Sequence, residues 1–514
     1  MNTELPATEI DDSQAVKILN FAFEQGTALI TRPGTTKDNS TPSAFGGRIT
    51  SEFFANFSSG SSYLIVTSTN EVYYRSSANT YTSIKGAASL ASDVPWHWKM
   101  FNDLAIGANG QTTASAHMNP CKWTGSGNIA QLADGGGTAP RAKYLEVWNN
   151  RLWAVSADAP NTLHWSALGD PDNWTAGGGS WEIYADDGEN ITGIYAHREF
   201  LYIFKRSKIY KIVTGEPNTD STLWSRELIA TNIGCVSQWT IQALLDDLIF
   251  YSDGGPYSLQ AAEAAGDFRI AALAKDVPEL TDYPPTSTTP GASFVFEPMS
   301  IYGIALRSAT SGAENGLLWI MDYKRIREGQ VRWAKWDGLA VGNSYAVEVI
   351  NSVKRLTIGG TDSNRNVYLL DDTVYTDNSG AYTQNLITKA YAMGNPLTIK
   401  QYRSFAWAMD NISSTASVTL IMRFDEDDDN AKSYSLTLTS SSSGSTYGGS
   451  ESPAEWASST TNRHVVRRRI VGSQGNRGLS QQFAFTVSSA GHAIRIKDLV
   501  LEYCIINERR AGTV

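Results

Sequence analysis

The chain has 514 residues, of which 41% are hydrophobic and 18% charged, with 43 glycines and a formal net charge of −10. That balance excludes a disordered chain, which combines low hydrophobicity with high charge. The acidity argues against a protein that grips nucleic acid by neutralising phosphates.

The charge is uneven. From Pro396 onward there are 13 Lys plus Arg against 11 Asp plus Glu, so the first 395 residues carry the remaining 29 against 41 and hold the acidic excess. Cys121, Cys235 and Cys504 are too few and too scattered for a disulfide framework or a CxxC metal site, and they read as thiols kept reduced. The start, MNTELPATEIDDSQ, shows neither the basic nor the apolar region of a secretory signal, and no run reaches the roughly 18 apolar residues of a membrane helix. Synthesis and folding in a cytoplasm are expected.

In chain order, residues 1–47 show little periodicity. An apolar run ending at Ile30 and the Arg32-Pro33-Gly34 turn predict a short strand that closes a ring by pairing with the last blade. Residues 48–395 then repeat one unit. Its clearest copy is VWNNRLWAVSADAPNTLHWSALGDPDNWT, Val147 to Thr175: an Asn149-Asn150 turn, the strand from Leu152 to Val155, a turn at Asp158 to Asn161, the strand from Leu163 to Ser166, and a Gly169-Asp170-Pro171 turn. Taking the first core leucine of each copy gives Leu64, Leu104, Leu152, Leu201, Leu248, Leu317 and Leu356, with steps of 40, 48, 49, 47, 69 and 39. Units of about 40 to 50 residues built from four short strands are β-propeller blades. The expected fold is therefore all-β, a propeller of about six to seven blades.

The step of 69 contains the Pro-rich insertion 277–298, with Pro278, Pro284, Pro285, Pro290 and Pro298. Prolines deny a segment ladder hydrogen bonds, so it is expected to stand clear of the sheets, either as a channel or gate loop or as a contact loop on an outer wall.

At Asn395-Pro396 the pattern changes to longer alternating strands, and residues 396–514 read as a C-terminal β-sandwich with a Ser-rich bridge from Ser440 to Ser452. Its acidic tip, residues 425–429, suggests a solvated hairpin; calcium is the alternative, although the spaced ligands of a calcium loop are missing. Within a strand pattern, Arg467 and Arg469 share a face opposite Arg468 and are candidate interaction residues, as are Trp174 and Trp181 in blade loops.

No GxSxG, P-loop or HExxH occurs, and His97, His117, His164, His197, His464 and His492 fall in different repeats. The repeated SxDxGxxW boxes of sialidase-type propellers are missing, as are kelch and WD signatures. Asp186-Asp187 is one place for an acid/base pair; a turn is the plainer reading. No catalytic residue, cofactor or metal is expected.

Together, the G-x(5)-RPG element from Gly26 to Gly34, the NNRLWAV…LHWSALGDPDNWT segment, the following IYAHREFLYIFKRSKIYKI and the strand-rich C-terminal region ending near Glu508-Arg509-Arg510 resemble the tail nozzle, or tail-hub and DNA-stabilisation, proteins of short-tailed bacteriophages. The resemblance covers most of the chain, and SALGDPDNW is its most specific part. It implies a propeller joined to a further β-domain and assembled as a hexamer around a channel. The ring would sit below an adaptor ring protein, carry fibres or spikes, and retain and conduct double-stranded DNA in the virion without reading its sequence. A propeller that binds or cleaves host-surface glycan is the alternative, motivated by the Trp-rich loops and Asp-rich turns.

Overall fold

A computed structural model describes residues 1–12, 14–24, 28–112, 120–134, 137–184, 187–215, 217, 219–259, 273–310, 312, 314–395, 397–411, 416–438, 455–457, 463–469, 477–487 and 493–505. The regular elements among them are strands and short 3-10 turns. Seven small antiparallel sheets follow one another in the chain. Their innermost strands are Ile49–Asn56, His97–Phe101, Ala142–Trp148, Ile191–His197, Gln242–Leu244, Ala292–Phe296 and Ser344–Ile350. Each sheet packs against the next and the seventh against the first, so the sheets are the blades of a seven-bladed β-propeller.

Local chemistry explains the blades. The hairpins joining first and second strands turn at Asn102-Asp103, Asn149-Asn150 and Asn351-Ser352, all with positive φ at both residues. This is the two-residue turn whose twist matches its strands, and Asn and Asp tolerate its left-handed backbone. The leucine ladder runs along the second strands, where Leu64, Leu152, Leu201, Leu248 and Leu356 are at most 1% exposed.

The long step in that ladder is partly a change of strand. Leu317 opens the third strand of blade six, Leu317–Asp322, whereas the second is Ile301–Leu306. With Ile304 as the marker, the steps become 56 and 52. The Pro-rich insertion does not stand clear. Val277 and Leu280 are fully buried in the largest core, Pro278 opens a 3-10 turn, and the Leu280 carbonyl accepts from Tyr251 Oη at 2.7 Å. The Pro284 carbonyl accepts from Arg307 at 2.8 Å, and Ala292–Phe296 is the innermost strand of a blade. Two apolar anchors among the prolines outweigh the missing ladder bonds.

Gly34–Lys37 supplies the outer strand of blade seven, with Thr36 opposite Leu369, and so closes the ring with a strand from the other end of the chain. Gly34 is required there, because a Cβ would lie 2.2 Å from the Thr376 carbonyl oxygen. Beside the closure, Arg75 of blade one bridges Asp38 (3.1 Å) and Glu348 of blade seven, while Tyr81 donates to Asp38.

The C-terminal β-sandwich begins earlier than the 395/396 boundary and takes in part of residues 1–47. One of its sheets is continuous with blade six: Arg332–Trp336 is followed by Ala15–Leu19, Gln384–Thr388, Gln481–Val487, Ala416–Phe424 and Asp427–Leu438 in a nine-stranded sheet. The facing sheet includes Phe21–Phe23, Leu29–Thr31, Ile494–Ile505, Lys400–Asn411 and Arg463–Arg469. Trp407, Phe485, Phe405 and Phe483 fill the space between, at centroid distances of 5.5 Å (Trp407–Phe485) and 5.6 Å (Phe405–Phe483). Strands joined across more than 360 residues leave no local pattern in sequence.

Candidate ligand site on the propeller axis

Inner strands of a propeller converge on its axis, and what they present there depends on a few positions. Here six of the seven blades line an axial cavity of about 280 Å³. Blade one contributes Glu52 from ITSEFFAN, where the strand alternation turns a carboxyl inward. Blade two gives His97 and Lys99 from HWKMF, and the short turn Gln238–Thr240 before blade five gives Trp239.

Glu52 is 9% exposed. The Ser344 hydroxyl donates to its Oε2 at 3.3 Å, while Oε1 has no hydrogen-bond partner. Burial pushes this carboxyl well above the ordinary range. The Ser344 and Thr357 hydroxyls offset that in part, and the charges of Glu348 and Asp38 add to it. The protonated form, which burial favours, can both donate and accept a hydrogen bond.

His97 receives the Leu145 N–H on Nδ1 at 3.0 Å, which leaves Nε2 as the ring's N–H donor. Burial first, and the Lys99 charge second, hold its pKa well below the usual imidazole range, so the ring is neutral. It stacks on Trp239 at 5.3 Å and 10°, with Tyr144 edge-on to the indole at 5.4 Å. Gln238 fixes the turn by accepting from Ile194 N (2.7 Å) and donating to Ile194 O (3.1 Å). Lys99 pairs with Glu146 at 2.9 Å and lies over the Tyr195 ring. A narrower space beside the cavity shares Thr50, Trp239 and Asn343 with it and is also lined by Asp93, Thr288 and Pro290.

None of the residues singled out in the sequence forms this site, although Pro290 sits beside it. Trp174 is 8% exposed and packs between blades two and three. Trp181 is half-buried against Trp165 and Trp224. Both are blade core rather than open interface. Arg467 and Arg469 lie opposite Ala406 and Ser404 on a strand flanked by Lys400–Asn411. Pro278, Pro284 and Pro285 belong to the packed segment described above.

Asp186 lies outside the described residues. Burial alone would raise the Asp187 carboxyl, but Lys205, the Glu189 N–H and Lys208 pull it down to about 2, making it a locked anion rather than a proton carrier. At the acidic tip, Asp425 and Glu426 form a two-residue turn with φ of 56° and 61°, and Asp425 Oδ1 accepts from the Leu479 and Ser480 backbone N–H groups at 2.6 and 2.8 Å. No cluster of metal-ligating side chains occurs among the described residues.

The sequence signal for the axial site was thin: a Glu inside an apolar strand, and a His and Lys two apart in another. Both patterns are common on exposed strands.

No family model and no curated protein matches the chain. Among solved structures, an exo-β-1,3-galactanase from Phanerochaete chrysosporium with β-1,3-galactotriose is 11% identical over 92% of this chain and 100% of its own, at a TM-score of 0.27. The AfRom2 CNH domain is 10% identical over 66% of this chain and 99% of its own, at 0.34. The Pan2 WD40 domain of Neurospora crassa is 8% identical over 66% of this chain and 94% of its own, at 0.30. Likeness at this level carries nothing about activity, substrate or partner.

Proposed function

We propose that the chain is a structural, non-enzymatic subunit of a short-tailed phage tail: a nozzle or hub ring that retains packaged double-stranded DNA and conducts it at infection. The observation that supports this most is the sheet shared between blade six and the sandwich. Domains joined by a linker move relative to one another by default. Here Ala15–Leu19 is bonded to blade six at Lys335 on one side and to Gln384–Thr388 on the other, so displacing either unit breaks ladder bonds. Such a block suits a wall that holds against packaged DNA.

In this reading the DNA path runs between copies, six to a ring, because an axial space of about 280 Å³ admits no duplex. The acidic propeller keeps that wall from gripping phosphates. Leu397, Val500 and Ile505, each more than half exposed on the sandwich, offer apolar surface for contacts with neighbouring copies or an adaptor ring protein. Fibres or spikes are further partners, the virion is the final location, and no cofactor is involved. Glycoside hydrolysis is the weaker reading. It ordinarily needs two carboxyls flanking the bond, and Glu52 is the one carboxyl among the described residues lining the cavity.

Light scattering on the purified chain mixed with its adaptor ring protein tests the proposal. A six-copy ring is expected, and Arg467→Glu with Arg469→Glu should block its assembly while leaving a folded monomer. A strict monomer of the unaltered chain under those conditions would overturn it.

A further inference from the structure

We propose that the axial cavity of the propeller is a binding site for one small, uncharged, hydroxyl-bearing molecule of about monosaccharide size, held by Glu52, His97 and Trp239. This goes beyond the structural role above and does not depend on it.

Size comes first. At about 280 Å³ the cavity has room for roughly nine waters at about 30 Å³ each, well beyond a packing defect and near the lower end of small-molecule sites. Close packing leaves few gaps larger than a water, so a concave space of this size lined by six blades is a feature of the ring.

Unmet polar capacity comes second. Glu52 lines the cavity, and its Oε1 is buried without a hydrogen-bond partner. Leaving a buried polar atom without a partner is costly. A carboxyl with an oxygen to spare can exchange hydrogen bonds with a hydroxyl, which has one donor and two lone pairs. The His97 Nε2–H adds a further donor, since Leu145 occupies Nδ1.

Charge decides the class. A cationic ligand would need Glu52 ionised where burial opposes ionisation. An anion would find only Lys99, whose charge is committed to Glu146 at 2.9 Å. Across the blade junction, the carboxylates of Asp38 and Glu348 are answered by Arg75. The lining therefore offers hydrogen bonds without a free charge. Trp239, half-buried and with His97 against one ring face, contributes an aromatic wall on which the C–H face of a ring polyol can lie.

Calorimetric titration of the full chain provides the test, with D-glucose, D-galactose, N-acetyl-D-glucosamine and myo-inositol as neutral probes and choline, putrescine and succinate as charged ones. At least one neutral probe should saturate a single site per chain. Glu52→Ala and Trp239→Ala should each weaken it tenfold or more, and Glu52→Gln, which keeps a donor and an acceptor, by less than threefold. Thermal melting of each variant verifies that it is folded, and the isosteric Glu52→Gln keeps the comparison informative if an alanine variant is not. The proposal is overturned if no neutral probe saturates, if only a charged probe does, or if Glu52→Ala binds as the parent does. Loss of binding in Glu52→Gln equal to that in Glu52→Ala would also overturn it, because the site would then use a carboxylate and prefer a cation.

Discussion

Arg32 and Glu52 are both withdrawn from water, and the molecule surrounds them in opposite ways. Arg32, the arginine of the RPG element, is fully buried, and all five of its N–H donors are used. Asp377 takes two, at 3.0 and 2.7 Å; Asn20 Oδ1, Pro33 O and Asp337 O take the others at 2.9 to 3.0 Å; and the guanidinium lies 3.8 Å from the Tyr382 ring centroid. Glu52 has a long bond from Ser344 and the Thr357 hydroxyl beside it, and its Oε1 has no hydrogen-bond partner. A buried ion with every bond made, tying together segments far apart in sequence, is the mark of a joint. A buried acid left partly unmet beside open space is the mark of a site awaiting something. The contrast assigns structure to the first and binding to the second, and it can be broken at either end.

The largest effect is expected at Arg32. Arg32→Ala strands the Asp377 carboxylate and removes the link between the N-terminal segment and blades six and seven, for a loss of about 3 to 5 kcal/mol. Arg32→Lys should recover only part of it, since one ammonium cannot serve the fork of five donors. Urea unfolding followed by tryptophan fluorescence measures both. A loss under about 1 kcal/mol for the alanine variant would show that the joint is not structural and would remove the first half of the contrast.

How far each half was legible follows from where its partners lie. The blades were readable because their signals are local: the Asn149-Asn150 turn and the leucine of the next strand are neighbours in sequence. The closing strand was placed too early: the apolar run before RPG, Leu29–Thr31, pairs with Ile494–Ile505 in the sandwich, and Gly34–Lys37 just after it closes the ring. The reason for RPG was not readable, because Asp377 stands 345 residues from Arg32. The axial site was hidden the same way, with Ser344 292 residues from Glu52. Trp174 and Trp181 flank turns, a place that suggests open surface, yet in a propeller the space between blades is filled by just such residues. Within the proline-rich stretch, Val277 and Leu280 were the local sign of packing, and the count of prolines obscured them.

A smaller effect, with a defined pH dependence, belongs to Glu52. Its folded pKa is raised, so below the unfolded value of about 4.5 both states are protonated and the group costs nothing. As pH rises above that value, the unfolded chain loses a proton that the folded chain keeps, and stability falls by up to about 1.4 kcal/mol per pH unit until the folded group ionises. Glu52→Gln removes this term. The variant should match the parent near pH 4.5 and exceed it as pH rises above that value, as read by urea midpoints at each pH. A difference that stays constant over that range would mean Glu52 titrates as an exposed carboxyl does, and the site would lose its neutral acid.

The smallest effect tests how loosely Glu52 is held. Ser344 reaches the carboxyl through a bond of 3.3 Å, so the pair should be weakly coupled. A double-mutant cycle of Ser344→Ala and Glu52→Ala, measured at pH 5 where the folded carboxyl is still protonated, should give a coupling of about 0.5 to 1 kcal/mol. Each single change also exposes the other side chain to the cavity rather than to packed core, so reorganisation adds little. A coupling above about 2 kcal/mol would place Glu52 among the fixed joints with Arg32. The unpartnered oxygen would then be a by-product of a structural contact, and the axial cavity would have no acid to offer a ligand.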